Sequence, residues 1–156
     1  MDEEESPLKL SDFAVSEAVE ETAESFRDFA RSQGHPLELA IVPGLTYCGD
    51  EYAVRQLVSI LLDNAVKYAL PDSPIEFSLE KAKRGVVLRS SNACEDVTPE
   101  NAQKLFDRFY RADQSRSSGS GFGIGLSIAR SISEGHHGSI RARVDDGKIE
   151  FTAELK

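Results

Sequence analysis

Apolar and polar positions along the chain follow two alternating periods. Leu8, Leu10 and Phe13 suggest a short opening strand. Val15, Val19, Thr22, Phe26 and Phe29 then recur every three or four residues, the spacing of one helix face. This predicts an amphipathic helix with Ser16 as its N-cap, ending near Gly34. Leu37–Ile41 and residues 45–47 read as strands separated at Pro43-Gly44. A second helix is expected from near Asp50 to about Leu70, stopped by Pro71, with Val54, Leu57, Val58, Leu61, Ala65 and Tyr68 as its apolar stripe. Ile75, Phe77 and Leu79 alternate like a half-buried strand, and Val86-Val87-Leu88 resumes after a turn at Gly85.

Pro99 predicts the first turn of a short helix carrying Leu105, Phe106 and Phe109. A third long helix opens within residues 121–125 and runs through Ile128 and Ile132 to Gly135. Residues 140–144, then Asp146-Gly147, then the alternating Ile149, Phe151, Ala153 and Leu155 carry a strong hairpin signal. The mixture predicts an α/β two-layer sandwich: a mixed sheet of about five main strands with three helices on one face.

Composition narrows the class. The 156 residues suit one domain with a single core, here residues 8–156, and the acidic, aperiodic residues 1–7 read as a linker stub. With 27 acidic and 18 basic side chains the net charge is −9, which argues against nucleic acid or anionic lipid as a partner. Cys48 and Cys94 are too few for a disulfide scaffold or a zinc site. No apolar run approaches the roughly 20 residues that span a bilayer, and no leading segment reads as a signal peptide. The expectation is a soluble, cytoplasmic domain without a structural metal.

Three segments carry candidate chemistry. Asn64 lies on the apolar side of the second helix, with Asp63 before it and Lys67 and Tyr68 one turn later. An amide oxygen there suits Mg²⁺ and an ammonium suits phosphate, although a lone Asn on such a face more often bonds the backbone. Gly121, Gly123 and Gly125, followed by Leu126, open the third helix after the Ser/Gly run. Glycines at a helix start serve as a hinge or as an anion cradle, where outward N–H groups and the helix dipole favour phosphate. Phe106, Phe109 and Tyr110 suit core or hinge packing more than stacking on a nucleobase. Arg108, Arg111 and Arg116 beside the Ser/Gly run suit phosphate capture by a mobile lid over residues 111–120, or simple solvation.

Together and in this order the segments resemble sensor histidine kinases over residues 8–156. Leu61-Leu62-Asp63-Asn64-Ala65-Val66-Lys67-Tyr68 looks like their N box. Phe106-Asp107-Arg108-Phe109-Tyr110-Arg111 looks like their F box, and Gly121-Phe122-Gly123-Ile124-Gly125-Leu126 like their G2 box. The resemblance implies the Bergerat ATP-binding fold and a catalytic domain of a two-component system. Such a domain binds ATP with Mg²⁺ and donates the γ-phosphate to a histidine on a separate dimerisation domain, which then serves a response regulator. By position, Asn64 would hold Mg²⁺, Lys67 would contact phosphate, Tyr68 would line the nucleotide pocket, and Arg108, Arg111, the three glycines and Leu126 would complete it; no catalytic base is assigned, and Asp63 is the one candidate catalytic residue, as a partial stand-in for a polar residue that orients water or the γ-phosphate.

The chain departs from the family in three places. The G1 box (Asp-x-Gly-x-Gly) is replaced by Asn92-Ala93-Cys94-Glu95-Asp96, so the adenine-facing Asp becomes Asn92 and two glycines gain side chains. The usual polar residue one turn before Asn64 is Ile60. The phosphoacceptor box is absent, and His35, His136 and His137 read as structural or solvated. The helical pair bearing the phosphorylated histidine would therefore lie upstream, in a parent of the kind usually anchored in a membrane. The chain alone would be monomeric and would not autophosphorylate. A second reading stays open: a module of this fold without ATP chemistry, acting as a regulatory or interaction domain.

Overall fold

In the computed structural model, described for residues 8–95, 102–107 and 122–156 (side chains of the last helix from Gly125 onward), these patterns fold into two layers. The elements in chain order are β1 (Ser11–Phe13), α1 (Val15–Glu24), α2 (Arg27–Ser32), β2 (Leu37–Ile41), β3 (Tyr47–Gly49) and α3 (Glu51–Tyr68). They continue with β4 (Ile75–Lys81), β5 (Val86–Ala93), a 3₁₀ turn (Ala102–Phe106), α4 (Phe122–Gly135), β6 (Ser139–Asp145) and β7 (Lys148–Leu155). Five strands form one mixed sheet in the order β2-β4-β5-β7-β6, with the β2–β4 pair parallel and the others antiparallel. The fold is thus the expected α/β sandwich with a five-strand mixed sheet. Among the described residues, no helix is long and apolar enough to cross a membrane.

Period-2 alternation decides which sheet face is covered. Ile75, Phe77 and Leu79 of β4 and Ile149, Phe151 and Leu155 of β7 are buried, while Glu76 and Glu80 of β4 are exposed and Glu150, Thr152 and Glu154 of β7 are partly exposed. The buried set meets the apolar stripe of α3, where Val54, Leu57, Val58 and Leu61 are fully buried. Among the described residues the other face is uncovered and polar; a shallow cleft of about 280 Å³ there, lined by Glu38, Glu76, Arg89 and Glu150, lies on the far side of the sheet from the helices. The β6–β7 hairpin turns at Asp146 (φ 54°) and Gly147 (φ 77°), the left-handed pair that an Asp-Gly dipeptide supplies.

Four local expectations need correction. The first helix breaks after Glu24, because Thr22 and Ser25 turn their hydroxyls onto the carbonyls of Ala18 (2.8 Å) and Thr22 (2.6 Å) and compete with the backbone ladder. Arg27 then donates to the Leu37 carbonyl (2.9 Å) and holds α2 against the start of β2. Ser16 is not an N-cap: Ala14 occupies that place, and the Ser16 hydroxyl donates to Val42 O (2.6 Å) and accepts from Leu45 N (2.9 Å). The opening strand is only Ser11–Phe13, and the strand expected over residues 45–47 is Tyr47–Gly49, paired with β1 outside the main sheet. The proposed helix start at Pro99, together with Asp96 and Phe109, lies outside the described residues.

Two clamps fix α3 along β5. At one end Asp50 caps the helix, its Oδ1 accepting from Ala53 N (3.0 Å), and its own N–H donates to His136 Nε2 (3.1 Å) just beyond α4. The carbonyl of His136 in turn accepts from Lys156 N (3.0 Å), beside the Val86 end of β5. At the other end Leu70 N donates to Ala93 O (3.1 Å), the last residue of β5. Helix and strand therefore run in the same direction, and ~27 Å of helix spans nearly the same length as ~26 Å of strand. α4 lies antiparallel to α3: its C-terminal end meets Asp50, and its first turn meets Ile60, whose Cγ2 is 3.6 Å from where a Cβ on Gly125 would stand.

Candidate nucleotide site

The middle of α3 separates the predicted cluster into two faces. Asn64 is 9% exposed, on the side turned into the domain, and its Oδ1 is buried with no hydrogen-bond partner. Asp63 and Lys67 stand together on the outer side, Nζ 3.2 Å from Oδ2, both more than 40% exposed. The helical repeat explains this: residues four apart differ by only ~40° around the axis, so 64 pairs with 68 and 63 with 67. Tyr68 ends the helix, half-buried. Lys67 thus belongs to the rim of any site centred on Asn64, and Asp63 faces Lys67, away from the Asn64 side.

The contact between Gly125 and Ile60 brings the first turn of α4 beside α3, one turn before Asn64. The positive end of the α4 dipole and its unbonded N–H groups therefore lie next to the unpartnered Asn64 oxygen. Gly123 and Gly125 are both within that turn, and Leu126 is buried behind them. A Cβ on Gly125 would make only ordinary contact with Ile60, and its φ is not positive, so neither packing nor turn geometry demands glycine there. Arg108, Arg111, Arg116, Gly121 and the lid expected over residues 111–120 lie outside the described residues.

The segment that replaces the G1 box is anchored by its backbone. Cys94 N donates to Gly147 O (2.9 Å) and Ala93 O accepts from Leu70 N. Asn92, 2% exposed on the helix-facing side of β5, donates its Nδ2 to Ala93 O (2.8 Å). The amide is thereby turned so that Oδ1 is the group left to accept a hydrogen bond. Cys94 does not adopt a positive φ, so its Cβ introduces no backbone strain.

An amide oxygen that is buried and unpartnered is an unusual and costly arrangement, which a ligand relieves. Asn64 Oδ1 suits a hard cation such as Mg²⁺, which takes oxygen ligands. Among the described residues, no group of three or more His, Cys, Asp or Glu side chains is placed to hold a metal ion. Two of the three histidines have other partners: His136 is buried, with Nδ1 2.9 Å from Ile132 O and Nε2 accepting from Asp50 N, and His35 Nδ1 lies 2.9 Å from Ser73 O, while His137 is exposed.

Sequence reasoning missed Ser90. It is 1% exposed, faces the helices, and its hydroxyl has no partner. The signal was available: on the inward face of β5, Val86 and Leu88 give way to Ser90 and Asn92, so an apolar row turns polar where the candidate site begins.

Residues 49–156 match the family described as histidine kinase-, DNA gyrase B- and HSP90-like ATPase. The sensor protein DltS of Streptococcus agalactiae is 32% identical over 155 residues, covering 99% of this chain and 39% of DltS. The signal transduction histidine-protein kinase BaeS of Escherichia coli is 33% identical over 133 residues, covering 84% of this chain and 28% of BaeS. The chain therefore spans well under half the length of these relatives. Among solved structures, the catalytic domain of histidine kinase ThkA superposes with a TM-score of 0.80 at 21% identity, covering 95% of both chains. Fold, motif order and relatives agree: the chain belongs to the histidine kinase-, DNA gyrase B- and HSP90-like ATPase family, and its relatives include a sensor protein and a signal transduction histidine-protein kinase.

Proposed function

We propose that this domain binds ATP with Mg²⁺ between the C-terminal half of α3 and the first turn of α4. It then presents the γ-phosphate to a histidine on a dimerisation and phosphoacceptor domain outside this chain. The observation that carries the reading is the unpartnered, buried Oδ1 of Asn64 beside the α4 N-terminus. The α4 N–H groups and dipole hold phosphate oxygens, Lys67 adds positive charge at the rim, and Asn92 Oδ1 accepts from the base. Bound at Asn64, Mg²⁺ supplies further neutralisation of phosphate charge. Catalysis on this reading is positioning plus electrostatic stabilisation, since phosphoryl transfer asks for little covalent chemistry from the protein.

Two solved relatives support it at the level of fold: the full-length histidine kinase ShkA was solved with AMPPNP, and ThkA with the response regulator protein TrrA. A response regulator is accordingly the proposed downstream partner. The reading of a module without ATP chemistry is favoured by one feature, the replacement of the G1 glycines by Cys94 and Asp96.

Calorimetric titration with MgATP and MgADP separates the two. Magnesium-dependent binding that disappears in Asn64→Ala, with the variant still folded by circular dichroism, supports the kinase reading. Absence of heat at millimolar nucleotide in the unmodified chain refutes it.

A further inference from the structure

Three observations place a second polar anchor in the helix–sheet interface. The Ser90 hydroxyl is buried and unpartnered, as is Asn64 Oδ1, and these are the two such side-chain atoms among the described residues. The Leu70–Ala93 bond gives a common origin for measuring along α3 and β5. Back from it, Asn64 lies ~9 Å along the helix and Ser90 ~10 Å along the strand, so the two oxygens stand at one level on facing elements. Across the sheet, Ser90 is in register with Phe77 on β4 and Phe151 on β7. The smallest side chain of that row sits between two of the largest, and its hydroxyl is buried beside them without a partner. Asn92, two residues on and on the same face, adds an acceptor oxygen fixed by its bond to Ala93.

An isolated hydroxyl in such a buried row has no structural purpose, because alanine would fill the place without leaving a polar group unsatisfied. We infer that Ser90 is a base-recognition residue of the nucleotide site, and this rests on the nucleotide reading above. The ligand edge that fits the pair is that of a 6-aminopurine. Its exocyclic N–H donates to Asn92 Oδ1, and its ring N1 accepts from the Ser90 hydroxyl. A 6-oxopurine reverses both groups: its carbonyl oxygen would face Asn92 Oδ1 and its N1–H would face a hydroxyl oriented to donate.

The test compares ATP with 1-deaza-ATP, which lacks the N1 acceptor, on the unmodified chain and on Ser90→Ala. The unmodified chain is expected to bind 1-deaza-ATP about fivefold more weakly, the loss of one buried neutral hydrogen bond. Ser90→Ala is expected to bind ATP about fivefold more weakly and to show no difference between the two nucleotides, because the partner of N1 is gone. Urea unfolding should show Ser90→Ala at least as stable as the unmodified chain without nucleotide. If the unmodified chain binds ATP but the ratio of affinities is the same in both proteins, Ser90 does not read the base and this inference fails while the nucleotide site stands. If the unmodified chain binds neither nucleotide, both fail.

Discussion

Asp50→Ala tests whether α3 is fastened as described. The Asp50 carboxylate accepts from two backbone donors, Ala53 N inside the first helical turn and Lys9 N in the entering segment, each at 3.0 Å. Loss of an N-cap side chain costs about 1 kcal/mol. Loss of the bond from Lys9, made at the surface, adds about 0.5–1 kcal/mol. The expected total is about 2 kcal/mol by urea unfolding at pH 7.

The pH dependence gives the sharper signature. Partial burial opposes the charge on Asp50, but the N–H groups of Lys9 and Ala53, the nearby His136 and the N–H of Tyr52 outweigh it and hold the carboxyl below its ordinary value. A depressed folded pKa means that the unfolded chain takes up a proton first as pH falls. This contribution to stability is complete above about pH 4, the unfolded value, and fades as pH drops through the lower folded value. The gap between the unmodified chain and Asp50→Ala should therefore narrow at pH 3. Asp50→Asn, which keeps an acceptor for Ala53 but no charge, should show a smaller gap at pH 7 that narrows with falling pH by the same amount as for Ala, because both variants lose the group that titrates. Equal gaps at pH 7 and pH 3 for Asp50→Ala would refute the charge-based account, and a gap at pH 7 as large for Asn as for Ala would refute the capping account.

Two further substitutions probe the frame and the pocket. Gly138→Ala would drive a Cβ into the carbonyl of Glu154 on β7, backbone that has no free end to yield. The expected cost is about 3 kcal/mol, read as a fall of ~10 °C in the thermal midpoint; a change below 2 °C would mean that the α4–β6 turn moves freely against β7. Asn92→Asp replaces the amide that donates to Ala93 O with an oxygen facing an oxygen in a buried place. Urea unfolding should show a loss of ~1–3 kcal/mol without nucleotide, and an unchanged midpoint would show that the side chain turns away at no cost.

What could be read in advance depended on how local each cause is. Ile75, Phe77 and Leu79 alternate because one sheet face is wet, and Asp146-Gly147 turns left-handed because those two residues tolerate positive φ. Neither fact needs the rest of the chain. The stripe of α3 and the glycines at the start of α4 were legible for the same reason, and with them the two elements that frame the site. The break after Glu24 is also local in mechanism, but hydroxyls at 22 and 25 bend a helix only when a partner such as Leu37 O, taken up by Arg27, rewards the bend. Ser16 illustrates the limit more plainly. Its position looked like a cap, yet its partners Val42 and Leu45 lie 26 and 29 residues away.

The same distinction governs the site. Spacing put Asn64, Lys67 and Tyr68 within one turn, but spacing treats a helix as a surface and says nothing about which side is covered. Burial decides that, and it turns Asn64 inward while leaving Lys67 to Asp63. Ser90 carried no chemistry as a residue type. It acquires meaning only once the strand register sets it between Phe77 and Phe151 and the end of α3 is tied to Ala93. On the nucleotide reading proposed above, the motifs mark the phosphate end, where backbone N–H groups and an amide recur by position. The base end of that proposal rests on which polar atoms the fold leaves without partners, a property of three dimensions that no linear pattern encodes.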